Sequence, residues 1–97
     1  MRVAVITGAA QGIGRRTAEV LAGEGYALAL NDLRPPVETL AAVKALGADA
    51  MEVVGDVADE GAVRRITDAV MARWKRVDVL VNNAGISFIA PAETISG

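Results

Sequence analysis

The chain has 97 residues, 53% hydrophobic and 23% charged; ten basic and twelve acidic side chains give a net charge of −2 and a pI near 5.0. This is the composition of a globular unit, without the basic footprint of a nucleic-acid binder or of a protein that docks on anionic membranes. Cys and His are both absent, which excludes disulfides, thiol nucleophiles, thiolate metal centres and imidazole bases. No metal site is expected.

In chain order, Arg2–Thr7 (RVAVIT) is β-branched and almost continuously apolar, which predicts a strand buried on both faces. Gly12–Glu24 reads as a helix, with Ile13, Thr17, Val20 and Leu21 on its inner side and Arg15, Arg16 and Glu19 largely outside; it ends at Gly25. Tyr26–Asn31 is a second run of strand length. Pro35 and Pro36 suit the opening of a second helix, which runs to about Leu46, stops at Gly47 and turns Leu40, Val43 and Leu46 inward. Ala50–Val54 is the third strand candidate. A third helix begins at Ala58 or Asp59, with Val63, Ile66, Val70 and Trp74 at helical spacing. Val77–Asn82 is a fourth strand, and the stretch from Asn83 to Gly97 reads as irregular.

Strand and helix thus alternate three times and finish on a strand, joined by connections that permit only local crossovers. Right-handed crossovers of this kind generate a parallel sheet covered by helices, an α/β fold. No apolar run approaches the roughly 18 residues needed to cross a bilayer. The N-terminus shows no leader pattern, so a cytoplasmic protein without a membrane partner is expected.

Thr7-Gly8-Ala9-Ala10-Gln11-Gly12-Ile13-Gly14 falls where the first strand passes into the first helix. Gly8 permits a tight turn, Gly12 lets backbone approach a phosphate, and Gly14 lets helix and strand pack closely. The helix start then offers free N–H groups and a positive dipole end to a pyrophosphate. No Gly-Lys-[Ser/Thr] follows, so this is not a Walker A loop. Asp32 ends the second strand, 18 residues beyond Gly14. A carboxylate there accepts hydrogen bonds from both hydroxyls of an adenosine ribose and repels a 2′-phosphate, favouring NAD over NADP. The expected architecture is a Rossmann-like sheet, βαβαβαβ with strand order 3-2-1-4, in one unit over residues 1–97.

Three motifs in order, Thr7-Gly8-x-x-x-Gly12-Ile13-Gly14, Asp56-Val57 and Asn82-Asn83-Ala84-Gly85, resemble the N-terminal half of the short-chain dehydrogenase/reductase family. The resemblance runs from Val3 to about Ile95. It implies that Gly8, Ala9, Ala10, Gln11, Gly12, Ile13 and Gly14 hold the pyrophosphate and adjoining ribose, and that Asp32 and the Leu33 backbone frame the adenosine ribose. Asp56 would bond the adenine amino group with Val57 beside it. Asn83, Ala84 and Gly85 would line the adenosine side of the cleft, and Asn82 would brace the sheet. The positions whose basic residues favour NADP in that family are held here by Gln11 and Leu33, neither of them basic. Where members often carry Gly, this chain has Lys75, which makes a left-handed helix end costlier.

The family's chemistry uses a Tyr and a Lys four residues apart, with a Ser upstream. The only tyrosine here is Tyr26, with Leu30 four residues later, and its place at a strand start suits packing. No catalytic residue is therefore expected among these 97. The chain reads as the cofactor-binding portion of an NAD(H)-dependent oxidoreductase acting on an alcohol or carbonyl, with the rest of the family domain following Gly97. The parent would be a homo-oligomer roughly two and a half times this length. The alternatives are a stand-alone adenosine- or dinucleotide-binding module and, less favoured by the motifs, a methyltransferase fragment. Helices one and two would cover one face of the sheet and the third helix the other, largely alone. Strand four would then be an exposed edge in an incomplete three-layer sandwich, open to self-association.

Overall fold

In a computed structural model, residues 1–82 and 85–88 are described, side chains for the first of these stretches only. β1 (Val3–Ile6) and β2 (Ala27–Leu30) are buried along their whole length, the signature of central parallel strands covered on both faces. They pair in register from Val3 opposite Ala27 to Ile6 opposite Leu30. β3 (Ala50–Glu52) joins the outer side of β2, and β4 (Val79–Asn82) joins the other side of β1, both parallel. The parallel order is therefore 3-2-1-4, as the alternation of elements predicts.

Side chains alternate across the sheet with period two. Ala4, Ile6, Leu28, Leu30, Ala50, Val79 and Val81 point to the face covered by α1 (Gly12–Gly23) and α2 (Val37–Ala45). Val3, Val5, Ala27 and Ala29 point to the other, where Ile66, Val70 and Trp74 of α3 (Glu60–Trp74) meet them. Each fully buried Leu or Ile of this kind contributes about 1.5–3 kcal/mol. The expected division of helices between the two faces holds.

The helices differ from expectation in which residues they bury. α1 turns Gly14, Ala18 and Ala22 inward, not Ile13 and Val20, which are exposed. The reason lies at the helix start: a Cβ on Gly14 would stand 2.0 Å from the Gly8 carbonyl oxygen, so Gly14 must face the loop. The residues four and eight later share its face, and Ile13, about 100° away around the axis, does not. In α2, Thr39 and Val43 are buried and Leu40 packs at the margin; the helix stops at Ala45, so Leu46 becomes an exposed cap residue. In α3, Ala62 takes the inward place expected of Val63, because the helix packs its first turns over Gly55, with the Ala62 Cβ 3.3 Å from where a Gly55 Cβ would lie. Asp59 caps α3, its Oδ1 accepting from the Gly61 N–H at 3.1 Å.

Both outer parallel strands are shorter than expected. β3 ends at Glu52, although Val53 stays buried with its N–H donating to the Leu30 carbonyl at 2.9 Å. β4 starts at Val79. Asp78 instead bridges to β1, its N–H donating to the Val3 carbonyl and its Oδ2 accepting from the Val3 N–H, both at 2.8 Å. The larger correction concerns the stretch after Asn82. β5 (Gly85–Phe88) folds back antiparallel on β4, with Asn82 opposite Gly85 and Val79 opposite Phe88. Strand four is therefore not a bare edge: its backbone groups on that side pair with β5.

Candidate functional site

Parallel strands bring the residues that follow β1, β2 and β3 to one rim of the sheet, the place where open α/β sheets bind ligands. Thr7 continues β1, its N–H donating to the Val81 carbonyl at 2.8 Å. The chain then crosses toward β2: the Ala9 N–H donates to the Asn31 carbonyl at 2.8 Å and the Ala10 N–H to Asp32 Oδ2 at 2.9 Å. Asp32 Oδ1 accepts from the Leu33 N–H at 2.7 Å. The carboxylate predicted to read a ribose thus already braces the glycine-rich turn.

Gln11 is extended and Gly12 lies at φ +62°, a left-handed conformation that glycine adopts without steric cost. Among the described residues, a Cβ on Gly12 would meet nothing within 4 Å, so none of them fills the space above it. Among the same residues, no side chain caps the start of α1, and its first turn carries no acidic residue. Uncapped amides, an open approach and no competing carboxylate fit an anionic group such as a pyrophosphate. The nearest cation on the helix, Arg15, is drawn to Glu19 at 3.4 Å and Glu38 at 3.7 Å.

Around this turn the fold leaves apolar side chains in water. Ile13 is 81% exposed and Leu33 68%, and Val57 is exposed as well; all three belong to the set that the sequence assigns to cofactor binding. Asp56 is exposed, its Oδ1 accepting from the Ala58 N–H at 2.9 Å. Gly85 sits in β5 opposite Asn82. Asn83 and Ala84 lie outside the described residues. Tyr26 is buried at the opposite rim with the Arg2 guanidinium 4.6 Å from its ring centre, consistent with the packing role expected of it.

Two residues at the site are not apparent from the motifs. Asn31 is 2% exposed, and its Nδ2 donates to the Val53 carbonyl at 2.7 Å and the Gly55 carbonyl at 3.0 Å. With the Gly55 N–H donating to the Asp32 carbonyl at 3.0 Å, it fixes the segment leading to Asp56. Thr39, wholly buried in α2, donates its hydroxyl to the Ala9 carbonyl at 2.7 Å. The available signal is a polar residue inside an otherwise apolar run, since such a group is buried only where it finds partners.

The shifted carboxylates lie elsewhere. Hydrogen bonding from Arg76, reinforced by the Val3 amide, holds Asp78 below the usual carboxylate range. Hydrogen bonds from Arg73 and Trp74 lower Asp49. Both stand at the rim opposite the glycine-rich turn and act as structural ties. Among the described residues, no helix is long and apolar enough to cross a membrane.

This geometry agrees with comparisons against known proteins. A sequence profile described as short chain dehydrogenase matches residues 2–96. D-threitol dehydrogenase of Mycolicibacterium smegmatis is 44% identical over 99 residues, which cover 98% of this chain and 37% of that protein. Among solved structures, hydroxysteroid dehydrogenase from Escherichia coli superposes with a TM-score of 0.80 at 28% identity, over 84% of this chain and 35% of that one. A short chain dehydrogenase/reductase from Burkholderia phymatum in complex with NAD gives a TM-score of 0.77 at 35% identity, over 81% of this chain and 29% of that one. The chain spans little more than a third of the length of the curated relative. Profile, relatives and sheet order agree, and the chain belongs to the short chain dehydrogenase family of oxidoreductases.

Proposed function

We propose that this chain is the dinucleotide-binding portion of an NAD(H)-dependent oxidoreductase that interconverts an alcohol and a carbonyl compound. The bound nicotinamide would supply or accept the hydride. The chain's own residues would bind and orient the other end of the cofactor. The α1 amides beyond Gly12 would hold the pyrophosphate, Ile13 and Leu33 would lie against its apolar surfaces, and Asp56 with Val57 would receive the adenine. Ionised Asp32 offers about four acceptor positions. Two are taken by the Ala10 and Leu33 amides, which leaves room for both ribose hydroxyls.

The observation that carries the NAD preference is the position of Asp32, fixed 2.9 Å from the turn amide and without a basic residue at Gln11 or Leu33. A 2′-phosphate placed there would face a carboxylate. Titration of the protein with NADH and NADPH at one ionic strength tests this. NADH should bind at least about tenfold tighter, a difference of roughly 1.4 kcal/mol. Equal or tighter NADPH binding would remove the reading. Because Tyr26 lies at the far rim and no Lys follows it four residues later, these residues are expected to bind cofactor without turnover.

One observation favours a second reading, a stand-alone nucleotide-binding module. The pairing of β5 on β4 gives the sheet an internal partner at its predicted open edge. A stable, fully folded monomer by size-exclusion chromatography would support that reading; association of the chain supports the first.

A further inference from the structure

The glycine-rich turn is held from outside α1. Ala9 and Ala10 receive three ties: Ala9 N–H to the Asn31 carbonyl at 2.8 Å, Ala10 N–H to Asp32 Oδ2 at 2.9 Å, and the Ala9 carbonyl accepting from Thr39 Oγ1 at 2.7 Å. The first two come from the end of β2 and the third from α2. The Ala10 carbonyl is 3.4 Å from the same hydroxyl. A hydroxyl has one proton to give, and the shorter bond takes it. Thr39 is wholly buried, so its hydroxyl is shut off from any ligand in solution. Two residues beyond the tied segment, the chain turns through extended Gln11 and left-handed Gly12 into the uncapped start of α1.

We infer that Thr39 is a positioning residue for the dinucleotide pyrophosphate: it fixes the Ala9 carbonyl and thereby aims the N–H groups that begin α1. The inference rests on the proposed dinucleotide function and adds a residue from α2 to it. Without the hydroxyl, Ala9 keeps its tie to β2 but loses the one that fixes its carbonyl. The turn then samples orientations in which the α1 amides no longer converge on one point. Groups that bind through a rigid oriented set lose affinity when that set is loosened. A ligand without phosphates, held through Asp32 and Asp56, does not depend on that convergence.

The test compares Thr39→Val, Thr39→Ala and Thr39→Ser with the unaltered protein, using ADP-ribose and adenosine as ligands and calorimetric titration as readout. Val and Ala variants should weaken ADP-ribose about tenfold while adenosine stays within about twofold, and the Ser variant should restore ADP-ribose to within about twofold. The ratio of the two constants within one variant is insensitive to a shared loss of folded protein, and Ala serves if Val prevents folding. Amide hydrogen exchange at residues 9–14 should quicken in Val and Ala but not in Ser. A lowered melting temperature with an unchanged ratio would overturn the inference and leave Thr39 an ordinary satisfied core hydroxyl. Failure of the unaltered protein to bind ADP-ribose would overturn the functional reading itself, and this inference with it. Normal binding with an unmoved ratio overturns the inference alone.

Discussion

The two rims of the sheet are built on opposite plans. At the rim where β1, β2 and β3 end, amides are left uncapped, Gly12 opens onto free space, and Ile13, Leu33 and Val57 stand in water. At the rim where the strands begin, the charged groups beside the sheet are tied to one another and to the backbone. Arg76 holds Asp78 through two bonds, Asp78 ties β4 to β1, Asp49 binds both Arg73 and the Trp74 indole, and Arg2 covers Tyr26. One rim is closed upon itself and the other is left open to a ligand. The contrast teaches where to look for function in a chain without His or Cys: at unspent hydrogen-bonding capacity and exposed apolar surface, not at perturbed acids.

Substitutions at each rim should separate stability from binding, and the largest effect belongs to Gly14→Ala. Its Cβ would stand 2.0 Å from the Gly8 oxygen and 2.7 Å from the Gly8 carbon, both backbone atoms that cannot swing aside. A loss of about 3 kcal/mol or more is expected in chemical denaturation, together with loss of nucleotide binding. A stable, binding Gly14→Ala protein would show that the helix does not dock as described.

At the closed rim, Asp78→Ala leaves the Val3 amide and Arg76 without their acceptor and should cost about 1–3 kcal/mol. The folded fraction should keep its affinity for NADH. The pH dependence has a definite sign. Asp78 and Asp49 titrate below their unfolded values, so their contribution is complete above about pH 4 and is lost as pH falls through the lower folded values. Asp78→Asn should flatten the acid limb of a stability-against-pH curve; an unchanged limb would contradict the tie.

Gly12→Ala should show the reverse balance. The methyl group meets no atom of the described residues, so stability falls by the cost of a left-handed alanine, about 1–2 kcal/mol. NADH affinity should fall much further, because the methyl enters the space above the turn. Loss of stability without a disproportionate loss of binding would take Gly12 out of the site. The smallest expected effect is a gain: Lys75 ends α3 at φ +63°, and Lys75→Gly should add about 0.5–1 kcal/mol in a thermal melt without altering binding.

The open rim was more legible in the sequence than the helix faces. Glycines at 8, 12 and 14 and an acid at 32 are placed by backbone requirements that few other residues meet, so their identities report geometry directly. The inward stripes are harder to read, because hydrophobicity alone points to Ile13, Val20, Leu46 and Val63. Close approach of the helices selects Gly14, Ala18, Ala22 and Ala62 instead. Asn31 and Thr39 escape notice because a buried polar residue is recognisable only once its partners are known. β5 escapes because its pairing depends on a reversal after Asn82 that apolar periodicity does not mark.

The small-residue face of α1 has a consequence for how affinity can change. Ala22 lies about 12 Å along the helix axis from Gly14, at the far end of a stiff rod whose near end carries the uncapped amides. A methyl or two added at Ala18 or Ala22 would lift that rod from the sheet and tilt its near end, with the loop itself untouched. The aim of those amides can therefore drift through substitutions that alter no hydrogen bond of the loop, making the back of α1 a remote adjustment screw for the front.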